Sequence, residues 1–424
     1  MTTATKETTT MKSVEEQCRY SYDARLVPQR FSSTEKNSIL QTIAAAVVDK
    51  AEYILEENKK DIAYGHENNL NEGLIDRLTL NKDRLEGISK SILEIVTLDD
   101  PVGTVLEEWT RPNGLHIKKV RVPLGVFGMI YEARPNVTAD AIAIAIKTGN
   151  ALVLRGSASA YNSNFAITKV VKDSLNAHKV NHDFIQLLED TNRESVKDFV
   201  QMKQYLSLVI PRGSAGLIQH AVNTATVPCI ETGAGICHVY IDKDADLDKA
   251  VAIADNAKTH RPSVCNACET LLVHKDVAQA FLPKIARVLK EKSVELRVCE
   301  AAKKFLNTEA LATDEDWATE YNDLILSIKV VESIEEAIEH IARYSTTHTE
   351  SIVSENQEAL DLFTASVDSS SVFTNASTRF ADGGEYGFGA EIGISTQKLH
   401  ARGPMGIKEL STYKFIVTGN GQIR

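Results

Sequence analysis

The sequence lacks any long apolar run. No stretch of roughly 18 consecutive apolar residues, about the length that crosses a bilayer as a helix, occurs in the chain. The first residues, MTTATKETTTMKSVEEQC, also lack the basic segment and apolar core of a secretory signal. We therefore expect a cytoplasmic protein that has no membrane partner.

Cysteine and positive charge are also scarce. Six cysteines are too few to scaffold a chain of 424 residues with disulfides, so we expect them to be thiols. The formal net charge is -11, whereas general binding of nucleic acid needs lysine and arginine clustered on one face. The sequence therefore argues against a disulfide-rich secreted protein and predicts no nucleic-acid partner.

The composition that is present fits a folded protein of several units. Apolar residues make up 43% of the chain and charged residues 25%, which is ordinary for globular proteins. A chain of 424 residues exceeds what one hydrophobic core usually supports, so we expect two or three structural units.

Helices, a hairpin and a late strand are predicted outside the centre of the chain. Helical spacing of apolar residues predicts helices over 33–58, starting at a capped Ser33, and over 82–98. The segments VLEEWT, RPNG and LHIKKVRV, between 105 and 122, indicate a hairpin with a bulge at Lys118 and Lys119. TYKFIVTG (412–419) is β-prone without a local partner, and we expect it to pair with a neighbouring subunit.

The centre of the chain alternates strands with helices. LGVFGMIY (124–131) and ALVLR (151–155) flank a segment of alternating Ile and Ala that ends at Gly149. Parallel strands need a crossover of a dozen or more residues, so we predict a helix there rather than a strand. A strand at 206–210 and the turn PRGSAG continue this parallel sheet, and the pattern restarts after 235, where we place a domain boundary.

Cys265 is the strongest candidate for a catalytic residue. It follows Arg261 in a loop between a predicted helix and a predicted strand, and positive charge favours the nucleophilic thiolate. For an arbitrary intracellular cysteine, however, a small buried residue is the commoner role. A metal site of Cys237, His238, Cys265 and Cys268 is less favoured, because no second Cys-x-x-Cys pair occurs. We therefore predict no metal.

Three other positions have two interpretations each. Gly213 and Ser214, in PRGSAG, could cradle a phosphate with backbone N–H groups or merely connect two elements. Asn136, after a strand, could donate to an oxyanion or cap a helix. Glu231, in IETGAG, could be a general base or a structural carboxylate, and the residues themselves leave this open.

Taken together, these segments resemble the aldehyde dehydrogenase superfamily and, within it, the γ-glutamyl phosphate reductase family. The most specific segment is VESIEEAIEHIARYSTTHTESI (331–352). The other matching segments are DRLTL (76–80), VRVPLGVFGMIYEARPNVTAD (120–140), KTGNALVLRG (147–156), IPRGSAGLI (210–218), IETGAG (230–235), HRPSVCNA (260–267) and STRFADGGEYGFGAEIGISTQKLHARGPMG (377–406). The resemblance extends from about Glu35 to the end of the sequence.

The resemblance implies an α/β fold with two Rossmann-like parallel-sheet domains and a small β oligomerisation unit. The cofactor-binding domain would comprise 1–104 and 123–235, and the catalytic domain 236–404. The hairpin at 105–122 and the segment 405–424 would form the oligomerisation unit, so a homo-oligomer is expected.

Carried over by position, the resemblance also implies roles for individual residues. Cys265 would be the nucleophile, Asn136 and the Cys265 N–H the oxyanion hole, and Glu231 the position that activates water in hydrolytic relatives. The implied cofactor-binding residues are Lys147, Arg155, Gly213, Ser214 and Glu320, the last for the nicotinamide ribose. The implied substrate-binding residues are Arg134, Arg261 and His348, with Glu350 and Arg402 behind them.

The activity implied by the resemblance is NADPH-dependent reduction of L-glutamyl 5-phosphate to L-glutamate 5-semialdehyde in proline biosynthesis. A thioester on Cys265 would form with release of phosphate, and a separate glutamate 5-kinase is a candidate partner. Ser159 stands where the family usually has Glu, and losing that charge favours the 2′-phosphate of NADPH. Cys268 replaces a usual Leu and Ile236 a usual Asn.

Three competing hypotheses remain at this point. An oxidising semialdehyde dehydrogenase would use Glu231 to activate water. A non-catalytic nucleotide-binding protein would keep only the fold. A Cys/His hydrolase would use His238 or His348 as base and need no nicotinamide cofactor.

Overall fold

The protein is described by a computed structural model that covers residues 11–306, 308 and 310–424. Its described residues cluster into two compact units, the first reaching Glu231 and including Met405–Arg424, the second spanning Thr232–Pro404. The sequence predicts this boundary at 235 and treats 105–122 with 405–424 as a separate unit. The functions assigned to these ranges remain predictions.

The first unit contains nine helices among its described residues and a four-stranded parallel sheet. Its helices are α1 (Val14–Asp23), α2 (Ser33–Asp49), α3 (Ala51–Glu67), α4 (Glu72–Leu78), α5 (Lys82–Thr97), α6 (Pro135–Thr148), α7 (Tyr161–Ala177), α8 (Arg193–Val200) and α9 (Ala215–Thr224). Its strands are β1 (Val105–Thr110), β2 (His116–Pro123), β3 (Val126–Tyr131), β4 (Ala151–Gly156), β5 (Ile185–Leu187), β6 (Leu208–Arg212) and, later in the chain, β15 (Ser411–Thr418). The parallel sheet has the order β5-β4-β3-β6.

The core of this unit is the helix α6 with strands β3 and β4. Every residue of both strands is buried, as expected when helices cover both faces of a parallel sheet. Helix α6 is buried at nearly all positions, and its C-cap Gly149 has a left-handed φ of 68° that a residue with a Cβ adopts less readily. The predicted helix and its end at Gly149 are therefore confirmed.

Three local predictions differ from the structure. The helix predicted over 33–58 is two helices, because Lys50 departs from helical geometry at φ -99°, ψ 18°. Its cap is Ser32, whose hydroxyl accepts from the Glu35 N–H in a capping box, rather than Ser33. The hairpin register shifts on β1, between Val105 and Glu107, instead of at the predicted lysines of β2.

The C-terminal strand joins the predicted hairpin. Strand β15 pairs antiparallel with β2 of the same chain, from Ser411 opposite Pro123 to Thr418 opposite His116. A three-stranded sheet of order β1-β2-β15 results. Strand β15 thus has a partner strand within its own chain, and its expected pairing with a neighbouring subunit stays a prediction.

The second unit is built on a six-stranded parallel sheet of order β12-β11-β7-β8-β10-β9. Its strands are β7 (Cys237–Ile241), β8 (Cys268–His274), β9 (Glu295–Val298), β10 (Ile325–Val331), β11 (Thr349–Val353), β12 (Ser371–Thr374) and the short pair β13 (Gly393–Ser395) and β14 (Gly403–Met405). Its helices are α10 (Leu247–Thr259), α11 (Lys275–Glu291), α12 (Glu300–Lys303), α13 (Asp314–Trp317), α14 (Ile334–Tyr344) and α15 (Gln357–Ser366). None of the helices in the described part of the chain combines the length and apolar character that crossing a bilayer requires.

Candidate active site

Cys265 lies in the turn that joins α10 to β8, where its side chain is half-buried. The backbone of this turn is packed against Gly235, because a Cβ built there would be 1.5 Å from the Cys265 carbonyl oxygen. That oxygen also accepts from the Cys237 thiol, with Sγ at 3.2 Å. The main chain at Cys265 is therefore fixed on the side that faces the start of β7.

Glu320 holds Gly235 in this position. Its Oε1 accepts from the Gly235 N–H at 2.7 Å, so the residue predicted to bind the nicotinamide ribose also supports the glycine that packs on the Cys265 turn. The segment around Glu320 is anchored by Glu269, whose carboxylate accepts from the Asn322 N–H at 3.3 Å and from Lys258 at 2.6 Å. Burial outweighs the Lys258 charge and raises the pKa of Glu269 to about 7.

A short 3-10 helix, Thr378–Phe380, packs against Asn266, the residue after Cys265. The Thr378 hydroxyl donates to the Asn266 carbonyl at 2.7 Å, and the Asn266 amide donates to the Ala381 carbonyl at 2.9 Å. These two bonds place Arg379 beside the Cys265 turn. Arg261 is exposed at the start of the same turn.

The predicted substrate residues are both fully buried, His348 immediately before β11 and Glu350 within it. Glu350 accepts from the His238 backbone at 2.7 Å and faces the His238 ring at 3.0 Å, and it also accepts from the Ser345 hydroxyl. His348 Nδ1 lies 2.7 Å from the Thr349 hydroxyl, and burial lowers the pKa of His348 to about 4. These positions argue against direct contact with a substrate and favour a supporting role.

The metal alternative is disfavoured by geometry. Within the described residues, no group of three or more His, Cys, Asp or Glu side chains is arranged to hold a metal ion. The Cys268 thiol also lies 3.3 Å from the Thr270 carbonyl, and His238 is engaged with Glu350.

Arg402 is the remaining predicted substrate residue of the second unit. Its guanidinium donates to both the carbonyl and the carboxylate of Asp368, each at 2.9 Å. Asp368 also forms an ion pair with Lys398. Arg402 is thus tied to the surface loop after α15.

In the first unit, the residues after β3 lead directly into α6. Arg134 occupies the N-cap position and is half-buried, while Ala133 before it has a left-handed φ of 40°. Asn136 is exposed in the first turn of α6, and its amide lies 3.3 Å from the Asp140 carboxylate. Asn136 is therefore not the helix cap, which leaves the oxyanion interpretation as a prediction.

The turn after β6 is closed by a carboxylate. The Ser214 N–H donates to Glu132 Oε2 at 2.8 Å, and a Cβ at Gly213 would approach the same oxygen to 2.6 Å. Just after β4, on the other side of β3, the Ser157 and Ser159 hydroxyls lie 2.8 Å apart. The carboxyl ends of β3, β4 and β6 thus bring polar groups to one edge of the sheet, where open α/β sheets bind ligands.

Lys147 and Arg155 are both buried and engaged within the first unit. The Lys147 ammonium donates to the Asn37 side chain at 2.9 Å and to the Val96 carbonyl at 3.0 Å, and burial lowers its pKa. Arg155 donates to the carbonyls of Thr191 and Asn192, each at 2.8 Å. These contacts favour structural roles over the predicted cofactor contacts.

Glu231 ends the N-terminal segment of the first unit and is half-buried. Burial, with the added negative charge of Glu231, raises the pKa of nearby Cys229 to about 11. The role of Glu231 as a general base stays a prediction.

Comparison with known proteins decides the family. The model of the aldehyde dehydrogenase family matches residues 8–303. The chain belongs to the aldehyde dehydrogenase family. Within it, the γ-glutamyl phosphate reductases of Clostridium perfringens and Moorella thermoacetica are 53% and 54% identical, over 93% and 92% of this chain and 95% and 94% of theirs.

Solved structures agree with this placement. γ-Glutamyl phosphate reductase from Thermotoga maritima superposes with a TM-score of 0.96 at 45% identity, covering 97% of this chain and 100% of that one. An acetylating aldehyde dehydrogenase from Geobacillus thermoglucosidasius, at 16% identity, a TM-score of 0.67 and 97% coverage of both chains, supports the fold alone. The predicted superfamily, γ-glutamyl phosphate reductase branch, α/β fold and enzyme class are confirmed.

Two features of this aldehyde dehydrogenase family member escaped the sequence interpretation. Arg379 was within a matching segment but was not singled out, although a second arginine near the nucleophile was a usable signal. The buried pair of Lys258 and Glu269 gave no local signal, because its partners come from α10 and β8 and meet only through packing.

Proposed function

We propose that the protein reduces L-glutamyl 5-phosphate to L-glutamate 5-semialdehyde with NADPH and releases phosphate, as a step of proline biosynthesis. The observation that carries this proposal is the fixed Cys265 turn, which presents a half-buried thiol near Arg379, with Arg261 at the start of the same turn. Positive charge favours the thiolate and attracts an anionic acyl phosphate. A separate glutamate 5-kinase is the proposed source of that substrate.

The Cys265 thiolate attacks the acyl carbonyl carbon, so a sulfur–carbon bond forms and the carbon–oxygen bond to phosphate breaks. A thioester and inorganic phosphate result. NADPH supplies the hydride that takes this thioester to the aldehyde level. Cys265 then departs as the thiolate, ready for another cycle, and Asn136 with the Cys265 N–H remains the proposed oxyanion hole.

The proposed cofactor site is the carboxyl edge of the parallel sheet in the first unit. The paired hydroxyls of Ser157 and Ser159 support NADPH over NADH, because they can donate to a 2′-phosphate that a glutamate would repel. Gly213 and Ser214 are the proposed phosphate turn, with Glu132 already bound to it. Glu320 remains the proposed ribose ligand.

We also propose that the three-stranded sheet of β1, β2 and β15 joins copies of this chain into a homo-oligomer. Tyr413, Phe415 and Val417 are 50%, 54% and 54% exposed, and Trp109 packs edge-on against Phe415. Exposed aromatic side chains in one sheet are typical of a surface covered by a partner.

The reverse reaction tests the proposed activity. We expect purified protein to reduce NADP⁺ in the presence of glutamate semialdehyde only when inorganic phosphate is added, and Cys265→Ser to be inactive. Oxidation without phosphate would instead support the water-activating dehydrogenase that uses Glu231. Activity that survives removal of the nicotinamide cofactor would support a Cys/His hydrolase.

The non-catalytic alternative is tested by labelling. Stoichiometric alkylation of Cys265 at neutral pH, with a rate altered by NADPH, argues against a protein that keeps only the fold.

A further inference from the structure

Arg379 is held rigidly beside the nucleophile. The two hydrogen bonds between the 3-10 helix and Asn266 fix its backbone relative to the Cys265 turn. The Ser377 hydroxyl caps the same helix by accepting from the Arg379 N–H at 3.3 Å. Hydrogen bonds within the protein therefore fix the position of the backbone from which the Arg379 side chain extends.

The guanidinium of Arg379 has a buried hydrogen-bond donor that its surroundings do not satisfy. Its Nε is buried and has no hydrogen-bond partner among the described residues. Burial, and then the positive charge of Arg261, lower the pKa of Arg379, while Asp382, Cys265 and Cys237 act in the opposite direction.

The nearby carboxylate does not complete this environment. Asp382 accepts from the Gly384 N–H at 2.8 Å, which directs one of its oxygens to the following turn. Two like-charged side chains, Arg379 and Arg261, thus lie near one thiol with a single carboxylate among the groups that act on Arg379. A buried guanidinium donor of this kind calls for an anion with several acceptor oxygens.

We propose that Arg379, with Arg261, binds the phosphoryl group of the acyl phosphate and stabilises it as it leaves. The planar guanidinium offers parallel N–H donors that match a phosphate, which an ammonium does not. Negative charge builds on the phosphate oxygens as the carbon–oxygen bond breaks, so the contact strengthens in the acylation step. This inference rests on the proposed function, and it assigns Arg379 to the leaving group rather than to the amino-acid part of the substrate.

Kinetics in the reverse direction provide the first test. We expect Arg379→Gln to raise the KM for inorganic phosphate roughly 10- to 100-fold, as expected for a lost charged hydrogen bond, and to leave the KM for glutamate semialdehyde unchanged. Arg379→Lys should recover part of the lost phosphate affinity, because it keeps the positive charge but lacks the parallel N–H donors of the guanidinium. Arg287→Gln, at an exposed position of α11, is the matched control and should behave as wild type.

A rise in the KM for semialdehyde without a change for phosphate would overturn the inference, because Arg379 would then bind the amino-acid part. An unchanged KM for phosphate in Arg379→Gln would also overturn it.

The second test does not depend on turnover. Inorganic phosphate should slow iodoacetamide alkylation of Cys265 in wild type and in Arg287→Gln, and should fail to do so in folded Arg379→Gln. Equal protection in all three proteins would refute phosphate binding by Arg379 even if the enzyme is a reductase. A wild-type enzyme that needs no phosphate for semialdehyde oxidation would instead refute the proposed function.

Discussion

Replacing Gly235 by Ala should impair the active site strongly, because the added methyl group meets main chain rather than a movable side chain. A Cβ at this position would lie 1.5 Å from the Cys265 carbonyl oxygen and 2.5 Å from its carbonyl carbon. Real Cβ contacts stay beyond 3.0 Å. The backbone at Gly235 and the backbone at Cys265 must therefore move apart by about 1.5 Å or more.

Such a separation acts directly on catalysis. A misplacement of about 1 Å at a reacting group can lower a rate about 100-fold, so we expect kcat to fall by about that factor or more. The overpacking should also destabilise the fold by about 1–3 kcal/mol. The hydrogen bond from Gly235 to Glu320 would be displaced together with the turn.

The assay combines steady-state turnover, the rate of Cys265 alkylation and thermal unfolding. Gly87→Ala is the matched control, because a Cβ there meets nothing within 4 Å in the exposed interior of α5. We expect it to keep full activity and to gain about 0.5–1 kcal/mol from helix propensity. Wild-type kcat and alkylation rate in Gly235→Ala would refute the close packing of Gly235 on the nucleophile's turn.

Three further predictions follow from single contacts. Cys265→Ser should abolish turnover but bind NADPH as wild type does, which fluorescence titration of the cofactor can check. Retained turnover would contradict the role of Cys265 as the nucleophile. In denaturant unfolding above about pH 7, where Glu269 is ionised, Lys258→Met leaves its carboxylate buried without a cation and should destabilise the protein by about 3–5 kcal/mol, whereas the exposed Lys249→Met should change the stability by about 1 kcal/mol or less. Phe415→Lys should shift the oligomer to smaller species in light scattering without changing NADPH binding; an unchanged mass would argue against the exposed sheet as the contact.

The Glu269 pair also predicts a pH dependence. A carboxyl whose pKa is raised in the folded state from 4.5 to about 7 resists ionisation there, while the unfolded chain ionises at lower pH. This group's contribution to stability is therefore full below about pH 4.5 and is lost as pH rises through about 7. Glu269→Gln should flatten that part of the stability curve in urea titrations, and an unchanged slope would refute the raised pKa.

Local sequence patterns predicted elements well where one physical rule dominated. The crossover requirement and Gly149 were enough to assign α6, and the loop position of Cys265 between α10 and β8 was evident from the periodicity. The break at Lys50 was missed, because α2 and α3 continue the same helical spacing on both sides of it.

Tertiary contacts explain what the patterns could not predict in the candidate site. Strand β11 begins with three consecutive polar residues, Thr349 to Ser351, and nothing local indicates that Glu350 and the preceding His348 are both fully buried. Lys147 and Arg155 have the charge expected of cofactor ligands, but carbonyls and an amide from distant segments take their donors. Burial and partner choice depend on the whole fold and cannot be read from spacing.

The pairing of β2 with β15 has a consequence for how the protein is made. Strand β2 emerges from the ribosome long before β15, and the chain reaches β15 only after all of the second unit has been synthesised. The second unit is continuous in sequence, whereas the first unit gains the contact of the Asn150 amide with the Leu410 carbonyl only after Met405–Arg424 has been synthesised. During that interval the edge of β2 that later pairs with β15 has unpaired backbone groups. Charged lysines on an edge strand disfavour pairing with a wrong strand, and Lys118 and Lys119 have this effect in the nascent chain.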